Sequence, residues 1–205
     1  MGSKERRERE KQATRDSILT ATRQIAESEG WSAVTIRRIA DSIDYTAPIV
    51  YQHFKNKEDA LNAVVQEEFE RLIHMMESAS ASEKNPEAAL LKLSEAYLEH
   101  ALSNLRMYEL MNGMAGVDLE ATFRCDGCAR VCEVAEEALG RWAASRQILF
   151  PNVRDIAETL WALFHGAICI VLINPCDVAL EKARRLSMQT LQDLMLSWEV
   201  RYRMA

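Results

Sequence analysis

The sequence predicts an all-α protein, on three observations. Only 7 Gly and 4 Pro punctuate its 205 residues, too few breaks for a chain of many short strands. Ala, Leu, Glu, Arg and Met, which lose little freedom in a helix, abound, and alternating β-branched runs are absent. In segment after segment, apolar residues recur three and four apart, which places them on single helical faces.

The first helix is expected from Lys11 to Ser28, with its start left open toward the charged arm KERREREK. Ile18, Ala21, Thr22, Ile25 and Ala26 fall on one side of it. Gly30 stands where a C-terminal cap belongs, and Trp31 follows as a packing anchor. Thr35 is placed to N-cap a helix over Ile36–Ser42 that buries Ile36, Ile39 and Ala40. In the turn Ile43-Asp44-Tyr45, Asp44 occupies a place where left-handed backbone is often needed. A short third helix runs from Thr46, its N-cap, to His53. Pro48 sits in its first turn, where a missing N–H costs nothing. Asn56 and Asp59 form a variant capping box. It opens a helix that keeps period through Leu61, Val64, Phe69, Leu72 and Met76 to about Ser78.

Residues 78–87 read as a polar linker. Pro86 restarts a helix through Leu90, Leu93, Tyr97, His100 and Ala101. Another begins near Leu105 and breaks at Gly113 and Gly116. A third covers Leu119 to about Ser145 and stops before Phe150-Pro151-Asn152. Two long helices close the chain: Val153–Ile173, halted by Asn174-Pro175, and Val178 to about Tyr202. The expected organisation is a three-helix helix-turn-helix domain with a basic arm over 1–58 and a helical ligand-binding and dimerisation domain over 59–205.

The charge distribution agrees with that division. The net charge is −6, yet residues 1–60 are slightly basic and the acidity lies beyond them. Lys4, Arg6, Arg7, Arg9, Lys11 and Arg15 make the arm basic, diluted by Glu5, Glu8 and Glu10. The arm reads either as a solvated helix laced with i,i+4 pairs or as a contact to DNA backbone. No run of 18 consecutive apolar residues and no apolar signal region is found, so a cytoplasmic protein with no membrane partner is expected. The odd count of 5 Cys fits thiols in a reducing compartment.

A helix that enters the major groove needs short or polar side chains at its start, so that its backbone approaches base edges. Thr46, Ala47, Pro48 and Ile49 meet that need, although they lack an Arg or Asn fork, so their base readout is modest. Gln52 is a further base reader, and Arg37 a better one if its helix end dips into the groove. Tyr51, His53 and Lys57 are placed to hold phosphates, helped by the N-terminus of the helix that starts at Asn56.

Residues 15–61 resemble the DNA-binding domain of TetR/AcrR-family transcriptional repressors. The resemblance rests on Ala26-x-x-x-Gly30-Trp31, on Thr35-Ile36-Arg37-Arg38-Ile39-Ala40 and on Pro48-x-x-Tyr51-x-His53-Phe54-x-x-Lys57. It departs at Asp44, where glycine is usual. The resemblance implies that Tyr51, His53 and Lys57 touch phosphates and that Arg37 and Thr46–Gln52 face the operator. It also implies an all-α homodimer that releases a palindromic operator when a small molecule enters the C-terminal domain. Trp161-x-x-x-His165-Gly166 further resembles the signature of one C-terminal subclass.

Large soft side chains nominate the effector site: Tyr97, His100, Met107, Tyr108, Met111 and Phe123, joined by Trp142, Trp161, Phe164 and His165. Met114 belongs to the same run. Each taken alone is equally a core residue. Ile156, Leu160, Leu163, Leu191, Leu194 and Trp198 stripe the last two helices and are candidates for a dimer face. Cys125, Cys128 and Cys132 share one helical face, which leaves a metal- or thiol-sensing alternative, although their spacing is not that of a structural zinc site. No cofactor is implied. The chain has no phosphate loop, nucleophile elbow or HExxH, so it is not expected to be an enzyme. The rival from another class is an all-α redox or interaction module that never touches DNA.

Overall fold

The computed structural model describes residues 2–117, 119 and 121–203, without the side chains of residues 3 and 121–125. The described residues form helices α1 (Ser3–Glu29), α2 (Ile36–Ser42), α3 (Ala47–Tyr51), α4 (Lys57–Ala81), α5 (Pro86–Ser103), α6 (Leu105–Met111), α7 (Ala121–Ser145), α8 (Val153–Ile173) and α9 (Asp177–Tyr202). A 3-10 turn covers Trp31–Ala33. No named strand occurs among the described residues, and one isolated bridge joins Ile148 and Arg203.

The chain divides into two compact units. The first comprises Met1–Glu68 and Arg106–Cys125, the second Phe69–Leu105 and Asp126–Ala205. In the first, α1 runs through the basic arm and its buried side carries Ile18, Ala21, Thr22, Ile25 and Ala26. Gly30 ends it at φ 90°, and its N–H donates to Ala26 O at 2.8 Å. That left-handed step is open to glycine without the Cβ clash other residues meet. Trp31 is buried, and its indole N–H donates to Arg106 O at 3.0 Å. The Arg106 guanidinium in turn donates to Ala26 O and Glu27 O, at 3.1 and 2.8 Å, and so adds a cation to the carbonyl end of α1.

α2 packs against α1 and α3. The Thr35 hydroxyl accepts from Arg38 N at 3.2 Å, and Asp44 turns the chain at φ 56°. Asp adopts left-handed backbone more readily than most residues do. α4 starts on the expected box: Asp59 N donates to Asn56 Oδ1 at 2.8 Å and Lys55 N to Asp59 Oδ2 at 2.9 Å.

The second unit is held by α8 on α9, with α5 against both. The polar linker is shorter than expected: α4 continues to Ala81, and Asn85 already caps α5 through Glu87 N at 2.8 Å. Small residues and serines in 78–81 extend the helix because nothing there forbids it. Trp142, Phe150, Trp198 and Tyr202 form an aromatic core, with centroids of 6.3 Å for Trp142–Trp198 and 5.7 Å for Phe150–Trp198. Phe69 leans on Gly127, whose missing Cβ leaves room for the ring. α8 has the length and the mean hydropathy, 2.0, of a membrane span by composition. Its Ala157, Leu160, Phe164, Ile168 and Val171 face the unit's own core.

Candidate functional site

α3 is held from beneath by Val50 and by Phe54 just past its end, both buried. Anchoring at those two positions turns the others outward. Thr46, Pro48, Tyr51 and Gln52 are exposed, and Ala47 and Ile49 half-exposed. Thr46 occupies the N-cap position, although its hydroxyl makes no capping bond. Arg37 is exposed on α2 and lies 3.9 Å from Asp41, a loose pair that leaves the guanidinium in solvent. Its neighbour Arg38 is committed inside the domain. Arg38 grips both carboxylate oxygens of Glu29 (Nη1 to Oε2 2.8 Å) and donates to Ala33 O at 3.4 Å. The hydrogen bond from Arg38 holds the Glu29 carboxyl below its ordinary pKa. Of two adjacent arginines in the motif, one thus orients the domain and the other faces out.

His53 and Lys57 are half-buried beside exposed Tyr51. Burial pushes the His53 imidazole below its ordinary pKa, and Lys11 and Arg15 push it in the same direction. The Arg15 guanidinium lies over the Phe54 ring, 4.9 Å from its centroid. The structure therefore brings Lys11 and Arg15 of α1 to the same side as the predicted phosphate holders. Exposed Tyr45, at 47 %, stands just before Thr46 at the mouth of α3. In the sequence its place in the turn marks it only as a spacer.

The predicted effector residues do not converge on one place. A cavity in the second unit has a volume of ≈ 30 Å³. Met76 of α4 and Leu90, Leu93, Ser94 and Tyr97 of α5 line it, facing Val131, Cys132 and Ala135 of α7 and Ala157, Leu160, Trp161 and Phe164 of α8. Tyr97 stacks on Phe164, with centroids 5.9 Å apart. His165 stands behind the wall. It stacks on Trp161 at 5.0 Å and lies 3.5 Å from Cys169 Sγ, and burial lowers its pKa.

Of the predicted effector residues, Tyr97, Trp161 and Phe164 line the cavity. His100 is buried on α5 outside the lining, and Trp142 belongs to the aromatic core. Met107, Tyr108 and Met111 are buried in α6, within the first unit. They follow Tyr97 closely in sequence, but Asn104, at φ −140° and ψ 78°, ends α5 and redirects the chain. The side chains of Phe123 and Cys125 lie outside the described residues. Cys128 and Cys132 are half-buried, and burial raises the Cys132 thiol pKa, with Glu158 adding to it. Among the described residues no three ligating side chains gather to hold a metal.

The predicted dimer stripe is divided. Leu160, Leu191 and Trp198 are buried within the chain, and Ile156, Leu163 and Leu194 are half-buried. Half of the stripe read from the sequence thus packs within the chain. The exposed large apolar side chains on these helices are Ile170, Ile173, Val178, Leu186, Leu196 and Val200.

Residues 18–64 match the family described as bacterial regulatory proteins, tetR family. Over those residues the chain is similar to the DNA-binding domain of tetR-family regulators. An uncharacterised HTH-type transcriptional regulator of Mycobacterium tuberculosis is 27 % identical over 166 residues, covering 80 % of this chain and 72 % of its own length. Among solved structures, SmeT, the repressor of the Stenotrophomonas maltophilia multidrug efflux pump SmeDEF, superposes with a TM-score of 0.66 at 24 % identity, covering 87 % of this chain and 88 % of its own. The transcriptional regulator FadR of Bacillus subtilis, in complex with stearoyl-CoA, gives 0.72 at 16 % identity, covering 85 % and 96 %. At these identities the likeness to the solved structures is one of fold.

Proposed function

We propose that this chain is a TetR-family regulator, a cytoplasmic homodimeric repressor that releases a palindromic operator when a small apolar or aromatic molecule enters the cavity between α5, α7 and α8. The observation that carries this reading is the apolar cavity itself, walled by stacked Tyr97 and Phe164 with few polar groups. Arg37, Thr46, Ala47, Pro48, Ile49 and Gln52 read bases, and Tyr51, His53 and Lys57 hold phosphates. The exposed apolar side chains of α8 and α9 cover one another across the dimer axis. Ligand pockets usually measure about 300–1,000 Å³, so at ≈ 30 Å³ the cavity opens as the effector enters. Met76 in its wall stands on α4, the helix whose first turn carries Lys57. Displacing Met76 therefore strains the helix that presents a phosphate contact. An effector that prefers the DNA-released state tenfold shifts the equilibrium by about 1.4 kcal/mol.

A thiol sensor is the second reading. The raised Cys132 pKa argues against it, because the thiolate is the reactive form. The test is a mobility-shift assay on the DNA flanking the protein's own gene, with wild type and Lys57→Ala. Lys57→Ala should weaken binding to all sequences alike and lower the salt slope by about 1 per protomer. A loss confined to some sequences would contradict the phosphate role, and a wild type without preference for any duplex over random competitor would end the repressor reading.

A further inference from the structure

The first four turns of α1 have no task in the mechanism above, yet their charges are sorted. Lys4, Arg7, Lys11 and Arg15 recur at intervals of three and four, which places them on one side of the helix. The same spacing continues into Ile18 and Thr22, both fully buried, so the row lies on the side of α1 that faces its own domain. At its inner end the Arg15 guanidinium covers Phe54, and Lys11 and Arg15 act on His53. Toward the N-terminus Lys4, Arg7 and Lys11 are exposed, and among the described residues none of them is paired with an acid.

The remaining charges on these turns are occupied differently. Arg6 pairs with Glu10 at 3.3 Å, Arg9 Nε donates to Glu5 O at 3.4 Å, and Gln12 donates to Asp16 at 2.8 Å. One side of the arm is thus internally paired, and the other presents cations. Glu8, four residues from Lys4 and three from Lys11, is the acid that borders the row.

We propose that Lys4, Arg7, Lys11 and Arg15 form a second DNA-contacting element, a row that follows backbone phosphates beyond the groove occupied by α3. This rests on the repressor reading. At 1.5 Å per residue the row is about 16 Å long, and duplex DNA offers one phosphate per strand every ~3.4 Å of its axis. Its partner is duplex phosphate, not base edges, because long flexible side chains exposed along a helix supply positive charge without being held against a base edge. The row adds affinity and salt dependence and leaves the sequence preference to α2 and α3.

The test compares full-length Lys4→Ala/Arg7→Ala/Lys11→Ala with the off-row control Arg6→Ala/Arg9→Ala, on a duplex selected by the wild type from a randomised pool. Circular dichroism confirms equal helicity. The row variant should bind at least tenfold more weakly at 0.1 M salt. Its log K against log [salt] slope should fall by about 2.7 per protomer, since each contacted phosphate contributes about 0.9. Its ranking of duplex sequences should stay unchanged, and the off-row control should bind within twofold of wild type. Glu8→Gln should tighten binding. Equal slopes for wild type and row variant overturn the proposal while leaving the repressor reading intact, as does a row variant that loses affinity only for anionic vesicles. A wild type that selects no duplex overturns both.

Discussion

Gly127→Ala sets helix propensity against packing in one substitution. Gly127 lies inside α7, where Ala is ordinarily favoured by about 1 kcal/mol. A Cβ built there overlaps Cδ2 and Cγ of Phe69 and stands 2.7 Å from Cε2, well inside the ~3.5–4.0 Å at which carbon atoms attract. Phe69 is 5 % exposed, so the ring has no solvent side into which to retreat. Overpacking of this kind costs about 1–3 kcal/mol. Set against the propensity gain, the expected net loss is about 1–2 kcal/mol at the upper half of that range. For a chain of this size it lowers Tm by roughly 2–8 °C. Urea unfolding followed by tryptophan fluorescence measures it, because Trp142, Trp161 and Trp198 lie in the same compact unit as Gly127. A double-mutant cycle with Phe69→Ala isolates the cause: Gly127→Ala should be neutral or stabilising once the ring is gone. A variant more stable than wild type in the Phe69 background would refute the close approach of ring and helix.

Three further outcomes follow from the same geometry. Filling the cavity with Ser94→Leu and Ala135→Leu should leave DNA binding intact and abolish both the binding of an apolar fluorophore and the release it provokes; a retained response would place the effector elsewhere. Leu196→Glu with Val200→Glu should yield folded monomers by sedimentation, whereas Trp198→Glu should unfold the second unit, since Trp198 is buried among aromatic rings; a folded dimer in both variants would rule out this face. The depressed His53 pKa fixes a direction with pH: above the ordinary histidine value of about 6.5 both folded and unfolded chains are neutral there, and below it the unfolded chain takes the proton more readily, so stability falls. A phosphate beside His53 reverses the preference, so DNA affinity should rise as pH falls toward 6, and His53→Gln should lose that rise; an unchanged pH profile in His53→Gln would remove His53 from the interface.

Local chemistry made the reader legible. Thr35, Asp44, Pro48 and the Asn56–Asp59 pair each fix a cap or a turn within a few residues, and the helices fall where those signals put them. The second unit was harder to read because an apolar stripe shows that a helix buries a face, without saying against what. Leu160, Leu191 and Trp198 face inward, and the outward apolar positions on the same helices are scattered among polar ones. Met107, Tyr108 and Met111 belong to a segment that folds with the first unit, and a long-range return of this kind leaves no periodic trace. Even the division between Arg37 and Arg38 depends on Glu29, nine residues earlier in the chain and brought near only by folding.

Arg106 has a consequence for anyone who would graft this reader onto another protein. A fragment cut after Glu68 would carry every helix of the motif and still lack the guanidinium that closes the carbonyl end of α1 and the carbonyl that receives the Trp31 indole. Ala26 O would keep its bond from Gly30 N, but the Trp31 N–H would lose its acceptor, at a cost of about 1–3 kcal/mol if water cannot replace it, and the end of α1 would lose the cation it shares. The portable cassette is therefore discontinuous: it must bring α6 with it, or supply another cation at that corner.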